Sequence, residues 1–401
     1  MRGKRKRGID DLALLGGTPL FVQPVHVGRP NIGNRRALQR RFKRILDSGW
    51  LTNRGPFVRE FEETLQKFTG ARHCIAVCNG TIGLELSVRA LGLVGEVIVP
   101  AFTFVATVHV LQWLGITPVF CDVDPATHTL DPERVADLIT PRTSGIMAVH
   151  LWGQPCQIER LTAIAGKSGL KLLFDAAHAF GCSYSGKMIG NFGDAEVYSF
   201  HATKLVNTFE GGAIVTNNDE LAEHLRLMKN FGFSGYDQVD LLGINGKMNE
   251  FSAAMGITSL ESMPEFVTVC RRNYRLYRER LAALPGVRLL AFDEREQNTY
   301  QYVVLELEES EYGLNRDQVV QILHAENVLV RRYFYPGCHR MEPYRRLFPD
   351  VGARLPVTER LCRRVLTLPT GTTVSPGMIE KICELFEFLQ QQAPAIRQRL
   401  G

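Results

Sequence analysis

Short β-branched runs alternate with segments of helical periodicity along much of this chain, and no other feature limits its fold as strongly. "CIAVC" (74–78) precedes "TIGLELSVRALG", "EVIVP" precedes "TFVATVHVLQWLG", and "TPVFCDV" precedes "DPERVADLI". "GIMAVH" then precedes "QIERLTAIAGKSG", which leads into "KLLFD" (171–175). Repeated units of this length imply an α/β fold with a mainly parallel central sheet flanked by helices. "AEVYSF" and "GGAIVTN" follow with little helix between them, so the strand order changes there. Ligands in open α/β sheets sit where strands end and the order reverses.

The texture shifts near residue 249. "NEFSAAMGITSLESM" and "EFVTVCRRNYRLYRERLAAL" read as two long helices, and "TYQYVVLELEE", "RDQVVQILHAEN" and "VLVRRYF" follow as a smaller α+β pattern. A chain of 401 residues, 45% of them hydrophobic, is long enough for two such units. The expected division is 1–266, a large domain with an N-terminal arm, and 267–401, a small C-terminal α+β domain.

Composition narrows the function classes. The net charge of +5 is small for this length, and the start "MRGKRKRG" reads as a solvated, mobile basic end, so no nucleic-acid partner is expected. Asp10 and Asp11 interrupt the apolar run that an export signal requires. Val97 to Cys121 is long and apolar enough to span a membrane, but its prolines, threonines, His109 and Gln112 divide it into strand, helix and strand, so it reads as core and no membrane is expected. Nine cysteines, without a C-x-x-C pair and scattered through hydrophobic segments, suggest packed, reduced thiols and a cytoplasmic setting.

Three features can be assembled into one chemistry. Asp175 ends the strand-like "KLLFD", Lys204 follows "YSFHAT", and "CNGTIG" is a small-residue turn whose free backbone N–H groups could hold a phosphate at a helix start. Together they supply a pyridoxal-phosphate site: an amine to form the imine, a carboxylate for the ring nitrogen and a phosphate cradle. Singly, each has an ordinary alternative as a snorkelled surface lysine, a strand-end cap and a plain turn. Their order and joint context raise the cofactor reading above those alternatives.

At these residues the chain resembles a known family. "SFHATKLVNTFEGGAIVTNN", "FDAAHAFG" and "GINGKMNEFSAAMG" are similar to motifs of the DegT/StrS sugar aminotransferases, and the likeness runs from "LALLGGTPLF" to "VLTLPTGTTVSP". It is greatest to members that aminate C4 of dTDP-4-keto-6-deoxyglucose, through "LGGTP", "VGRPN", "HLWGQPC", "FDAAHAFGC" and "YFYPGCHRMEPY". The resemblance implies the pyridoxal 5'-phosphate aminotransferase fold type I and a homodimer with shared active sites. It makes Lys204 the imine-forming lysine, Asp175 the partner of the pyridine nitrogen, and His178 a neighbour of the ring and its phenolic oxygen. Thr81 and Ile82 would offer backbone N–H groups to the phosphate, Ser199 its hydroxyl, and Phe104 would stack on the ring. Asn245 and Lys247 would reach the phosphate region of the neighbouring subunit. Tyr335 and His339, in "YFYPGCHR", would contact the sugar or its diphosphate, with a structural loop as the alternative. One departure stands out: "KMNEF" replaces the M-S-E of many relatives, so the helix start at Asn249 is expected to differ slightly.

The reaction so implied is ping-pong transfer of nitrogen from L-glutamate to C4 of dTDP-4-keto-6-deoxy-D-glucose, giving dTDP-4-amino-4,6-dideoxy-D-glucose. Rivals are a 3-keto nucleotide-sugar aminotransferase and a non-catalytic regulator of the same family. A related 3-dehydratase carries histidine where this chain has Lys204, which argues against that activity.

Overall fold

The computed structural model describes residues 6–400. Seven strands form the central sheet, in the order His73–Val77, Gly212–Thr216, Ala195–Ser199, Lys171–Asp175, Thr143–Val149, Glu96–Pro100 and Thr117–Cys121. Gly212–Thr216 runs antiparallel to both of its neighbours, while the pairs from Ala195–Ser199 outward are parallel. The short connection between "AEVYSF" and "GGAIVTN", where a change of strand order is expected, also reverses the direction of the chain.

Strand periodicity divides the core between the two faces. Cys74, Ala76, Leu172, Phe174, Ala213 and Val215 enter one apolar cluster, and Ile75, Val77, Leu173, Val197 and Ile214 enter the other. Helices cover both clusters because each face of a mainly parallel sheet is apolar. Pro56–Thr69 and Glu250–Glu261 pack together, and Gly80–Ala90 lies over the strands Ala195–Ser199 and Gly212–Thr216. Gly83 permits that close approach, since a Cβ there would meet the Val197 side chain at 2.7 Å. Val97 to Cys121 forms strand, helix (Val105–Trp113) and strand, and no described helix is long and apolar enough to cross a membrane.

Asn249 caps Glu250–Glu261 by accepting from the Ser252 N–H at 2.9 Å. An asparagine is thus a competent start for that helix in place of the relatives' serine. Met263–Leu281 follows and packs on Pro376–Gln391. A three-stranded antiparallel sheet, Val287–Leu289, Val303–Leu307 and Val365–Leu368, lies in the C-terminal region.

The N-terminal segment joins that C-terminal region. Val25–His26 pairs in parallel with Val328–Leu329, and the Ala13 and Leu20 N–H groups donate to the Glu326 carboxylate at 2.8 and 2.6 Å. Lys6 completes this knot, and it corrects the expectation of a wholly solvated basic end. Its ammonium is buried and donates to Asp11 O at 2.6 Å, Thr18 O at 2.7 Å and Glu326 at 2.8 Å. A buried carboxylate needs a cation, and Lys6 supplies one. Residues 1–5 of the basic start lie outside the described residues.

Candidate active site

Lys204 lies in the loop that reverses the chain between Ala195–Ser199 and Gly212–Thr216. The loop is tied at its ends by Phe200 N–H to Gly211 O and Thr208 N–H to Phe200 O, each 2.8 Å. Lys204 keeps some accessible surface, but its amine is desolvated and its side-chain hydrogen bond is a long one to Tyr302 Oη at 3.3 Å. Burial lowers its pKa to about 8, against the opposing pull of the Asp175 charge.

Asp175 ends its strand as the sequence suggests. Its Oδ1 accepts from Ala177 N–H at 3.0 Å and its Oδ2 from the Thr107 hydroxyl at 2.9 Å. Burial raises its pKa; the bonds from Ala177 and Thr107 and the Lys204 charge act the other way. A second cation against this carboxylate would shift the balance further toward the ionised form.

His178 follows in the "DAAH" turn, and its Nδ1 accepts from the Trp152 backbone N–H at 3.3 Å. The neutral ring therefore carries its proton on Nε2. Burial, then the Lys204 charge, holds its pKa well below the usual value, so the ring stays neutral. Trp152 also stacks on this ring, with centroids 5.8 Å apart, and its indole N–H donates to His128 Nδ1 at 3.3 Å. His128 Nε2 in turn meets Glu306 at 2.9 Å. Trp152 has a left-handed backbone, φ +63°, a conformation that costs a non-glycine residue roughly 1–2 kcal/mol. The aromatic, imidazole and indole contacts over-determine it.

The cradle is built by close backbone approach. Asn79 caps Gly80–Ala90, accepting from Ile82 N–H at 2.8 Å, so that N–H already has a partner while Gly80 and Thr81 open the helix. A Cβ on Gly212 would fall 2.8 Å from Gly80 N, and one on Gly80 would fall 3.1 Å from Ser199 Cβ. Glycine at both positions thus brings the helix start against Ser199.

Phe104 precedes the helix that carries Thr107. It is exposed and lies 6.5 Å, centroid to centroid, from Phe334, which itself stacks 6.1 Å from His178. Tyr335 is half-exposed, its ring facing Arg332 and Arg316 at 4.6 and 5.3 Å. His339 turns inward instead: it is 1% exposed, bonded through Nε2 to Glu359 at 2.8 Å and set against Phe120. Its short helical turn, Cys338–Arg340, folds it into the core, so it offers no edge to a ligand and the structural-loop alternative fits it better. Asn245 bridges to Asn230 and Lys247 to Val77, with the Lys247 ammonium 4.6 Å over Phe231. Within the described chain neither hydrogen-bonds Lys204, Asp175 or His178.

Lys204, Asp175 and His178 are thus brought together, with Ser199 beside the cradle. Thr107, Trp152, Tyr302 and Phe334 join them without having been singled out from sequence. "HLWGQPC" marked the neighbourhood of Trp152, and Thr107 follows Thr103 at one helical turn; Tyr302 left no local sign.

A desolvated lysine amine, a buried strand-end carboxylate, a neutral histidine and a glycine-built helix start, all at one edge of this sheet, define an aminotransferase of fold type I. The match to the family model bears this out over residues 34–387: the chain belongs to the DegT/DnrJ/EryC1/StrS aminotransferase family, a family of pyridoxal-phosphate-dependent enzymes. It is 37% identical to a dTDP-4-amino-4,6-dideoxy-D-glucose transaminase of Shigella dysenteriae, over 90% of this chain and 97% of the relative. A dTDP-4-amino-4,6-dideoxy-D-glucose transaminase of Escherichia coli is 34% identical over the same shares. Among solved structures, DesI in the presence of its TDP-sugar product superposes with a TM-score of 0.94 at 49% identity, covering 98% of this chain and 99% of DesI.

Proposed function

We propose that this enzyme transfers the amino group of L-glutamate to C4 of dTDP-4-keto-6-deoxy-D-glucose, using pyridoxal 5'-phosphate. The observation that carries the chemistry is the Lys204 amine, desolvated and facing Asp175 and His178; the substrate rests on likeness to the two transaminases and to DesI over nearly the whole chain.

The residues present fit the cofactor. The Gly80–Gly212 approach, too close for a Cβ at either position, sets the helix start against Ser199, and the donor set supplies one group for each polar feature of the ligand. Lys204 would hold the aldehyde, Asp175 the ring nitrogen, His178 Nε2–H the phenolic oxygen, and the helix start at Thr81 with Ser199 the phosphate; Phe104 is placed to cover the ring. When bound, the group supplies a carbon that carries nitrogen and a ring that accepts electrons.

The protein's own part is protonic and electrostatic. Asp175, fixed by Thr107 and Ala177, favours a proton on a ring nitrogen beside it. Neutral His178 can donate from Nε2 without adding a positive charge. Lys204 Nζ, with its pKa near 8, has a sizeable neutral fraction near neutral pH and can take up and return a proton. Tyr335, half-exposed with its ring against Arg332, would meet the sugar nucleotide.

The site is completed across a homodimer. Asn245 and Lys247 follow a run of exposed apolar side chains, Phe231, Phe233, Leu242 and Ile244, that suits burial against a second copy. Mixing Lys204→Ala chains with Asn245→Ala/Lys247→Ala chains should restore activity in heterodimers; inactive mixed dimers would refute sharing. The substrate is tested by product analysis with glutamate and a panel of 4-keto and 3-keto nucleotide sugars. Equal or faster turnover of a 3-keto sugar would overturn the choice of carbon.

A further inference from the structure

Tyr302 stands at the strand Val303–Leu307 of the C-terminal sheet, yet its side chain is part of the site on the central sheet. It is buried, with its ring 4.5 Å from the His178 ring and 5.5 Å from that of Trp152, centroid to centroid. Its hydroxyl lies 3.3 Å from Lys204 Nζ, which also lies 5.9 Å from the phenol ring centre. Among the described residues, the two buried structural lysines have ionised or carbonyl partners: Lys6 bonds Glu326 and two carbonyls, and Lys229 bonds Glu62 and Ala76 O. Lys204 instead hydrogen-bonds a neutral hydroxyl, with the Asp175 charge near it.

We propose that Tyr302 is a positioning residue for the Lys204 amine, its hydroxyl serving as hydrogen-bond partner to both protonation states and setting how readily the amine loses its proton. A phenol O–H can accept from an ammonium and, by rotating about its C–O bond, donate to a neutral amine; a carboxylate can only favour the ammonium. A group that must pick up a proton and give it back is therefore better served by the phenol. Burial pushes the Tyr302 phenol well above its ordinary pKa, which keeps it neutral as this role requires. Charge-assisted hydrogen bonds are about twice as strong as neutral ones, so the hydroxyl supports the ammonium somewhat more than the amine. Because Tyr302 immediately precedes a strand of the C-terminal sheet and Lys204 lies in a loop between strands of the central sheet, the contact also ties readiness of the amine to the packing of one on the other. The inference rests on the reading of Lys204 as the cofactor-binding amine.

The test is pH-dependent acylation of Lys204 in the cofactor-free full-length chain, followed by mass spectrometry, in wild type, Tyr302→Phe and Tyr277→Phe. Tyr277 is an equally buried tyrosine whose hydroxyl bonds Pro369 O at 3.0 Å, so it controls for loss of a buried phenol O–H. In Tyr302→Phe the labelling midpoint should fall by roughly 0.5 to 1 pH relative to wild type, with Tyr277→Phe unchanged. In the loaded enzyme, kcat should drop about tenfold or more with KM for glutamate within about twofold, and the deuterium isotope effect from Cα-labelled glutamate should rise. An unmoved midpoint in folded Tyr302→Phe overturns the role of Tyr302. Failure of pyridoxal phosphate to protect Lys204 from acylation, in wild type as well, would instead overturn the cofactor assignment, so the two failures are distinguishable.

Discussion

Two lysines with desolvated amines, Lys229 at the end of the helix Asp219–Met228 and Lys204 in the loop before Gly212–Thr216, lie against one sheet in opposite surroundings. Lys229 lies beneath the edge strand His73–Val77, where its ammonium bonds Glu62 and Ala76 O, each at 2.9 Å. Lys204, at the carboxyl edge, has one long bond to a neutral hydroxyl. Burial lowers the pKa of both, opposed at Lys229 by its bond to the Glu62 carboxylate and at Lys204 only by the Asp175 charge, and Lys204 falls to about 8. The first arrangement suits a strut and the second a reagent, since a nucleophile or base must spend part of its time unprotonated. A buried lysine in this fold is thus better judged by what its amine lacks than by how deeply it lies.

The sharpest way to break that contrast is to remove each lysine. Lys204→Ala should abolish transamination, by at least about ten-thousandfold, and leave circular dichroism and thermal midpoint near wild type, because no structural ion pair is lost. Turnover near the wild-type rate would show that another amine does the work. Lys229→Ala should behave in the opposite sense, losing about 3 kcal/mol in urea unfolding because buried Glu62 keeps only the Ala76 N–H and a 3.4 Å contact to Arg54; a loss below 1 kcal/mol would erase the distinction.

The anion beside each lysine sharpens the comparison. Asp175→Asn removes the charge but retains bonding capacity toward Thr107, and should slow the glutamate half-reaction by roughly a hundred- to a thousandfold while cofactor uptake persists. Normal half-reaction rates, followed by absorbance, would mean that another group tunes the ring. The smallest effect concerns pH. The neutral amine is the reactive form, so pyridoxal-phosphate uptake by the cofactor-free chain should rise about tenfold from pH 7 to 9 and level above the Lys204 pKa near 8. Continued rise toward pH 10.5 would show that the amine is not desolvated as drawn.

The nearness of Lys204 and Asp175, on which the proposed pyridoxal chemistry rests, was legible in the chain because the groups follow strand-like runs whose ends can be read locally, and the "CNGTIG" turn announces a helix start. His339 shows the limit of that approach. Its position in an aromatic, basic loop suggested a ligand contact, but the turn at Cys338–Arg340 sets its ring against Phe120 and Glu359. Loop composition identifies candidates; direction depends on what the loop packs against. Lys6 shows the same limit at the N-terminus, where it reads as solvated until Glu326 is known to lie beside it.

By itself, the order of residues determined the alternation of strand and helix, the change of strand order at "AEVYSF" and "GGAIVTN", and the family motifs, because periods of two and 3.6 residues and turn-forming small residues act over short stretches of chain. Only the tertiary structure decided that Tyr302 would meet Lys204, 98 residues away, that Thr107 would bond Asp175, and that Val25–His26 would pair with Val328–Leu329. Those contacts join segments far apart in sequence, and they arise from how two faces pack, a property that no local pattern encodes.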